Sequence, residues 1–403
     1  MKTGWEAPKL GDVALLRPNK KEVKSVLADE DDVSFVPMDC LKVDQVTLSE
    51  QEARPLGKVY SGYTYFCDGD VLLAKITPCF ENGKLGIANG LTNGVGFGSS
   101  EFFVLRPNDK LLAGYLYHFL NRQSFRDWAK GQMTGAVGHK RVPKELVESL
   151  EIPLPPPEEQ KLIVAVLDEA FEGLARARAN AEANLQNARE LFESYLATAF
   201  SGDEAGWDEC ELNDHVRFID YRGKTPPKTE VGIRLITAKN VKMGYIQREP
   251  EEFILESAYE GWMTRGFPKL GDVLFSTEAP LANVAQLDTE ETVVIGQRLI
   301  TMQADEDVIL AEFLKFSLMA PPMQSEIHRR GTGATVVGIK AKLLKTVPLR
   351  FPKNLDRQRA IAANCQSAYD DMERLEEAFR DKLQDIDDLR QSLLQKAFAG
   401  ELT

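Results

Sequence analysis

The chain has 403 residues, of which 43% are hydrophobic and 28% charged, and its formal net charge is −13. This length favours two to three domains, and the composition is that of an ordinary globular protein. No run of 18 apolar residues occurs, so we expect no membrane segment. Five scattered cysteines without a Cys-x-x-Cys pair indicate a reduced, cytoplasmic protein, and the four isolated histidines argue against a metal site.

Elements of the first half alternate between strands and helices. Apolar runs predict buried strands at 71–76 and 102–105, followed by a helix at 110–130. In the second half, similar runs predict strands at 234–237 and 293–295. Each half therefore begins with an α/β globule of ordinary domain size.

A long helix is predicted after the first globule. No proline occurs from Glu158 to Phe200, and apolar residues recur at spacings of three and four from Ile163 to Ala199. The helix would be roughly 60 Å long, and its narrow apolar face requires a partner helix. A matching pattern occurs 198 residues later, from Ile361 to Ala397. The sequence therefore predicts two long helices that pack against each other.

The repeat also includes the globules. Residues 5–16 parallel 207–218, and residues 69–78 parallel 271–280. The fold class that follows is α+β, with two tandem α/β globules, two long antiparallel coiled-coil helices and a pseudo-two-fold relation between the halves. The predicted boundaries are 1–150, 151–206, 207–347 and 348–403, and the chain ends are expected to lie close together.

Two loops are basic although the chain is acidic. Neither 130–144 nor 329–345 contains an acidic residue, and each contains several lysines and arginines. The net charge argues against nucleic-acid binding over the whole surface, whereas local cations favour DNA contact at defined faces. Both loops are rich in glycine, which lets backbone approach a ligand closely. The alternative is that they only tie each globule to its helix, and both roles are compatible.

A further basic loop, Arg222-Gly223-Lys224-Thr225, resembles the end of a phosphate-binding loop. Phe218 stands where that motif needs glycine, and Pro226-Pro227 prevents the helix that should follow. Nucleotide binding is therefore rejected, which leaves DNA contact or an exposed solvated loop. No motif of a methyltransferase, hydrolase, metalloprotease or nuclease occurs, so a non-catalytic chain is predicted.

The repeated pattern resembles the specificity subunit of type I restriction–modification systems. Four segments carry the resemblance: PLPPPEEQ from Pro153 with its helix, VPLRFPKNLDRQ from Val347, YRGKTPPKTEVGIRLITAKNVKMGYI from Tyr221, and GTGATVVGIK from Gly331. The second lead-in departs from the pattern, with Lys353-Asn354-Leu355 inserted. The resemblance covers both globules and both helices.

The resemblance implies different roles for the globules and for the long helices. Residues 1–150 and 207–347 would be target recognition domains, each reading one half of a split DNA sequence. Residues 151–206 and 348–403 would be conserved regions whose helices set the spacing between half-sites and dock two methyltransferase (modification) subunits. Restriction subunits can join this complex. No cofactor is expected in this chain, because S-adenosylmethionine, ATP and Mg²⁺ would be bound by the partner subunits.

Candidate DNA-contacting residues are polar or basic residues of the loops, chosen as a hypothesis for double-stranded DNA. They are Lys75, Thr77, Asn82, Lys84, Gln132, Thr134, His139, Lys140, Arg141, Arg222, Lys224, Thr225, Lys239, Asn240, Arg298, Arg329, Arg330, Thr332 and Lys340. The alternative function is a coiled-coil protein-interaction scaffold without sequence-specific DNA binding. A stand-alone DNA methyltransferase is a more distant one.

Overall fold

The computed structural model describes residues 2–49, 51–136, 138–201, 206–221 and 226–402. The chain divides into two compact units: residues 1–180 with 382–403, and residues 181–381. Each unit contains one globule and one segment of each long helix. The predicted α+β class is confirmed.

The first unit is built on two sheets. One has the strand order β1-β8-β5-β6 and is antiparallel throughout; the other has the order β3-β2-β7-β4, in which β2 and β7 are parallel. The strands are β1 Ala14–Leu16, β2 Asp32–Val36, β3 Glu52–Pro55, β4 Thr64–Cys67, β5 Val71–Ala74, β6 Leu85–Ile87, β7 Val95–Gly98 and β8 Phe102–Pro107. The helices are α1 Leu10–Val13, α2 Leu56–Val59, α3 Ala113–Leu120, α4 Gln123–Lys130, α5 Lys144–Glu148 and the start of α6 Pro157–Ala199.

The second unit repeats this arrangement. Its sheets have the orders β10-β16-β13-β14 and β12-β11-β15, with β11 and β15 parallel, and β17 pairs with β9. The strands are β9 Trp207–Glu211, β10 Val216–Asp220, β11 Ile233–Ile236, β12 Phe253–Ile254, β13 Val273–Thr277, β14 Leu281–Gln286, β15 Val293–Ile295, β16 Leu299–Ala304 and β17 Pro348–Pro352. The helices are α7 Leu212–His215, α8 Tyr259–Trp262, α9 Ala311–Met319, α10 Pro321–Arg330, α11 Ala341–Lys345 and α12 Leu355–Ala399.

The main sheets of the two units are equivalent in strand order and direction, which confirms the repeat at the level of fold. Apolar side chains of these sheets are buried against the helices that follow them, as shown by Phe103 and Tyr115 in the first unit and Phe275 and Phe313 in the second. Strands β5 and β13 lie at the centre of these cores, because each is buried on both faces.

The helix predicted at 110–130 is instead two helices, α3 and α4. They are separated at Asn121, whose side chain is buried and donates to the Asp44 carboxylate at 3.1 Å. The Arg126 guanidinium in turn donates to the Asn121 carbonyl at 2.8 Å. These polar contacts replace helical hydrogen bonds at the break, an effect that hydrophobic periodicity does not reveal.

In the first unit, α6 and α12 pack against each other in antiparallel directions. The Arg390 guanidinium lies 4.1 Å from the centre of the Phe171 ring, and Arg178 forms an ion pair with Asp387. Residue numbers therefore rise on α6 as they fall on α12. The described ends of the chain are also adjacent here, as predicted, since a Cβ atom on Gly400 would lie 2.3 Å from the Lys2 Cβ.

The same helices are antiparallel within the second unit. The rings of Phe192 and Tyr369 are 5.5 Å apart, and Arg189 Nε lies 2.5 Å from Glu376 Oε1. These four positions are equivalent, through the repeat of 198 residues, to those that pair in the first unit. Both units thus use the same helix register.

A buried glutamine joins globule to helix in the first unit. The Gln160 side chain is fully buried near the start of α6. Its Oε1 accepts from the Leu112 N–H at 2.9 Å, and its Nε2 donates to the carbonyls of Lys110 at 2.7 Å and Pro155 at 2.8 Å. This one side chain therefore connects the segment before α3 to the segment before α6.

Gln358 makes the same contacts in the second unit. Its Oε1 accepts from the Leu310 N–H at 2.9 Å, and its Nε2 donates to the carbonyls of Val308 and Pro352, both at 2.8 Å. Gln358 is also fully buried. A buried amide with both of its polar atoms used stabilises a unique junction, because any other arrangement leaves them unpaired.

Candidate nucleic-acid interface

The basic loop of the first unit is a hairpin attached by its backbone to the end of β5. Thr134 and Arg141 exchange backbone hydrogen bonds of 3.0 and 2.8 Å. The Thr77 N–H donates to the Lys140 carbonyl at 3.0 Å, and the Val142 N–H donates to the Lys75 carbonyl at 2.9 Å. Five predicted residues, Lys75, Thr77, Thr134, Lys140 and Arg141, are thereby brought together.

The basic loop of the second unit forms the equivalent hairpin. Thr332 and Gly338 exchange backbone hydrogen bonds of 2.8 and 3.0 Å, and the Ile339 N–H donates to the Thr277 carbonyl at 2.9 Å. The latter bond attaches the hairpin to the end of β13. Equivalent strands therefore present equivalent hairpins in the two units.

One glycine in each hairpin is required by the backbone. Gly135 has φ +124° and Gly333 has φ +128°, a region that side chains strongly disfavour. A Cβ atom on Gly333 would also lie 2.0 Å from the Val336 carbonyl oxygen. The Thr-Gly sequence that the two loops share therefore reflects the same turn conformation in both.

Cations converge on one carboxylate in the first unit. The Arg141 guanidinium donates to both Glu101 oxygens, at 2.8 and 2.9 Å, and the Lys75 Nζ donates to the Ser100 carbonyl at 2.7 Å. The hydrogen bonds from Arg141, opposed by partial burial, lower the pKa of Glu101, and the charge of Lys75 lowers it further. Burial lowers the pKa of Lys75, as do the charges of Arg17 and Arg141. Three cations around a single carboxylate give this face a positive charge, which suits phosphate.

A cavity of about 400 Å³ lies beside the hairpin of the second unit. Its lining includes the predicted Arg298, Thr332 and Lys340, together with Gln297 and Glu278. The Arg298 Nε lies 2.9 Å from Glu278 Oε1, so the guanidinium is held by another residue of the cavity lining. Arginine and glutamine are side chains that read base edges.

The two units differ in charge at this equivalent place. Glu101 precedes β8 in the first unit, whereas Arg298 precedes β16 in the second. Each is paired with a residue of opposite sign, Arg141 in one unit and Glu278 in the other. The shared scaffold therefore presents two chemically different surfaces.

Other predicted residues of the first unit lie outside these hydrogen-bonded contacts. Lys84 Nζ is engaged by the Asp39 carboxylate at 3.1 Å and by the Met38 carbonyl at 3.3 Å. Gln132 lies just before the hairpin, and its Nε2 donates to the Trp128 carbonyl at 3.4 Å. Asn82 and His139 are exposed, and His139 belongs to the hairpin.

Asn240 has a structural role that the sequence prediction missed. Its side chain is 1% exposed, accepts from the Thr237 N–H at 2.9 Å and donates to the Pro250 carbonyl at 3.0 Å. Its polar atoms are therefore used within its own loop. The neighbouring Lys239 is exposed, with its Nζ 3.9 Å from Glu252. Three further predicted residues, Arg222, Lys224 and Thr225, lie outside the described residues.

The adjacent Arg329 and Arg330 have different surroundings. Both donate to Glu326, which lowers the pKa of that carboxyl to about 2, mainly through Arg329. Arg330 also donates to the Thr346 carbonyl at 2.7 Å and hydroxyl at 3.0 Å, and so ties α10 to the end of α11. Arg329 is the more exposed of the two.

We therefore predict a large loss of stability for alanine at position 330 and almost none for alanine at position 329. Arg330→Ala removes a partly buried tie and lowers the free energy of unfolding by about 1–3 kcal/mol. Arg329→Ala changes stability by less than about 0.5 kcal/mol, as is usual for exposed sites. Denaturant titration of both variants measures this difference. Equal stability losses in the two would contradict the assignment.

Sequence reasoning missed Arg17, Glu101, Glu278 and Gln297. Arg17 follows β1 in a left-handed conformation with φ +60°, and only the sheet brings it near Lys75. Taken alone, the carboxylates carry no sequence signal for DNA contact, because phosphate attracts cations. A signal was present for one pair, since alignment of the two halves sets Glu101 opposite Arg298 just before equivalent strands.

Within the described ranges no group of three or more His, Cys, Asp or Glu side chains could hold a metal ion. In the same ranges no helix is long and apolar enough to cross a membrane.

Comparison with known proteins gives consistent matches. Residues 2–183 match the family model of the type I restriction modification DNA specificity domain. The chain is 37% identical over 203 residues to the EcoEI specificity subunit of Escherichia coli, and 36% identical over 196 residues to the EcoAI subunit. These alignments cover 50% and 48% of this chain but only 34% and 33% of the relatives. A specificity subunit of Methanocaldococcus jannaschii, MjaVIII, is 23% identical, with 99% of this chain and 93% of the relative covered.

Solved structures share the fold along the whole chain. A chain from a structural study of assembly and conformational transition of the type I system has a TM-score of 0.81 at 21% identity, with 100% of this chain and 99% of that chain covered. The HsdS subunit of Thermoanaerobacter tengcongensis has a TM-score of 0.62 at 20% identity, with 100% and 98% covered.

The duplicated α+β fold with its long helices is thus shared with these solved structures. Residues 2–183 thus match the type I restriction modification DNA specificity domain, and the chain is similar to type I specificity subunits over about half of its length. The resemblance predicted from its sequence is confirmed.

Proposed function

We propose that this chain selects the DNA sites of a type I restriction–modification complex, and that each unit reads one half of a split target. The observation that carries this proposal is the pair of equivalent hairpins with unlike side chains. The first unit carries Lys75, Arg141 and Glu101 at this place, and the second unit carries Arg298 and Glu278 beside the buried Thr277. Two such surfaces suit an asymmetric, interrupted sequence, because half-site arrangement mirrors protein geometry.

The distribution of charge supports DNA as the ligand. The chain carries a net charge of −13, yet the hairpin segments 130–144 and 329–345 contain cations and no acidic residue. Phosphate contacts need positive charge only where the duplex approaches. Acidic surface elsewhere would repel DNA and so restrict binding to these faces.

Under this proposal the chain is non-catalytic and works with partners. Two methyltransferase subunits dock along the helices and globules, and restriction subunits join them. S-adenosylmethionine, ATP and Mg²⁺ belong to those partners. The long helices α6 and α12 then fix the spacing between the two half-sites.

Sequencing of methylated bases tests the proposal. DNA is compared from cells that make this chain with its neighbouring methyltransferase subunit and from cells that lack the chain. A new split motif, methylated on both strands only when the chain is present, is the expected result. An unchanged methylation pattern, with the methyltransferase shown to be active and bound, would overturn it and favour the protein-interaction scaffold.

A prediction follows for Glu278, which holds Arg298. In the Glu278→Gln variant the guanidinium is freed and one charge that repels phosphate is lost, so affinity for random DNA rises. Discrimination at the position read by Arg298 falls by about 1–3 kcal/mol. Competition binding of target against random duplexes by the assembled complex measures both effects.

Glu251→Gln is the matched control, because it removes a carboxylate of the same unit whose exposed partner, Arg248, lies 2.6 Å away. It should leave the ratio of target to random affinity unchanged. The same loss of discrimination in both variants would show that only net charge matters.

A further inference from the structure

The long helices carry exchanged charges at equivalent positions. Residues 198 apart are equivalent in the repeat, so Arg178 of α6 corresponds to Glu376 of α12. Arg189 of α6 likewise corresponds to Asp387 of α12. At both positions α6 has a cation where α12 has an anion.

These four residues are the ones that pair across the helices. In the first unit Arg178 forms an ion pair with Asp387. In the second unit Arg189 Nε lies 2.5 Å from Glu376 Oε1, and Glu376 is largely buried. The two ion pairs are the same contact in the repeat with the signs reversed.

Pairing of like helices in the same register would bring like charges together. Two copies of α6 would set Arg178 of one chain against Arg189 of the other. Two copies of α12 would set Glu376 against Asp387. Only α6 against α12 gives opposite charges at both places, which is how charged flanking positions select partners in coiled coils.

Charges one helical turn further along the two helices weaken the preference for the unlike helix but do not reverse it. Glu182 on α6 corresponds to Arg380 on α12, and Arg380 donates to Glu376 within its own helix. Both sit one helical turn away from the position that faces the other helix. Apolar contacts cannot supply the selection, since the repeat gives both helices similar apolar faces.

We propose that these exchanged charges make each long helix pair with the unlike helix and reject the like helix of a second copy of the chain. The covalent connection between α6 and α12 then favours pairing within one chain, because it raises their effective concentration. The charged face of each long helix thus fits one partner, which is the other long helix of the same chain. This inference does not depend on the proposed DNA function.

Full-length variants that invert the arrangement test it. Arg178→Asp with Glu376→Arg makes both contacts within the chain repulsive and both like-helix contacts attractive. Arg178→Asp with Asp387→Arg is the matched control, because it also replaces one cation and one anion and also makes the like-helix contacts attractive, but it keeps both contacts within the chain attractive. Two differently tagged copies of each variant are made in one cell, and mixed complexes are captured by one tag and detected by the other.

We expect the inverted variant to form mixed dimers at least fivefold more than the wild type and the control, and light scattering should give the mass of two chains. Arg189→Glu with Asp387→Arg inverts the arrangement independently and should behave alike. Replacing all four residues by the opposite charge should restore a monomer. Folded inverted variants that stay monomeric, or a wild type that dimerises equally, would overturn the proposal.

Discussion

Replacement of Gln160 by alanine is expected to lower the free energy of unfolding of the first unit by about 3–5 kcal/mol. The substitution leaves the Leu112 N–H and the carbonyls of Lys110 and Pro155 without the partners they have in the fold. A buried polar group without a partner costs about 1–3 kcal/mol, and three are affected here. Gln358→Ala should have a similar effect on the second unit, where the contacts are the same.

Hydrogen exchange measures this effect unit by unit. Amides of α3 should lose protection in Gln160→Ala, and those of α9 in Gln358→Ala. Gln186→Ala is the control, because that side chain is exposed on α6 and bonds only to Glu190 among the contacts described. It should change stability by less than about 0.5 kcal/mol. A Gln160 variant as stable as this control would refute the role of the buried amide.

Neutralising the cations around Glu101 is expected to weaken DNA binding by the assembled complex roughly 10- to 100-fold at moderate salt. The variant carries glutamine at Arg17, Lys75 and Arg141, and at Glu101 as well, so that no carboxylate is left unpaired. Each cation that contacts a phosphate contributes about one to the slope of log affinity against log salt. The slope should therefore fall by up to about three.

The comparison variant carries glutamine at Lys9, Lys21 and Lys58, which are exposed lysines of the same unit. Salt titrations of binding to target and random duplexes should show the large change only for the cluster around Glu101. Melting temperatures of the two variants establish that both are folded. An equal loss of affinity in both would mean that the unit binds DNA through its general charge.

Prediction from sequence succeeded where the chain repeats itself. The long helix predicted over the proline-free stretch that begins at Glu158 is found at Pro157–Ala199, directly after the prolines that favour a helix start there. The strands at 71–76 and 234–237 are found at Val71–Ala74 and Ile233–Ile236. Local patterns specify such elements, and the second copy confirms each assignment.

Prediction was weaker where a contact joins distant segments. The break at Asn121 depends on Asp44, and the fully buried state of Asn240 depends on carbonyls seven to ten residues away. The cluster around Glu101 draws residues from β1, β5 and the hairpin, which only the completed sheet brings together. Residue type predicted which side chains have the chemistry to contact DNA. It did not predict which of them are buried or engaged by other residues in the folded protein.

The hairpins are attached to their sheets by main-chain hydrogen bonds. The Thr77 and Ile339 N–H groups and their carbonyl partners carry these attachments, and a required glycine sets each turn. Exposed side chains within the hairpins, such as Lys140 in the first unit and Val336 in the second, contribute little to holding the loops in place. Substitutions there should cost little stability, so under the proposed function the DNA target could change through single substitutions while the fold stays intact. The main-chain attachments and the turn glycines are therefore constrained by the fold, whereas the exposed side chains of the hairpins are free to vary.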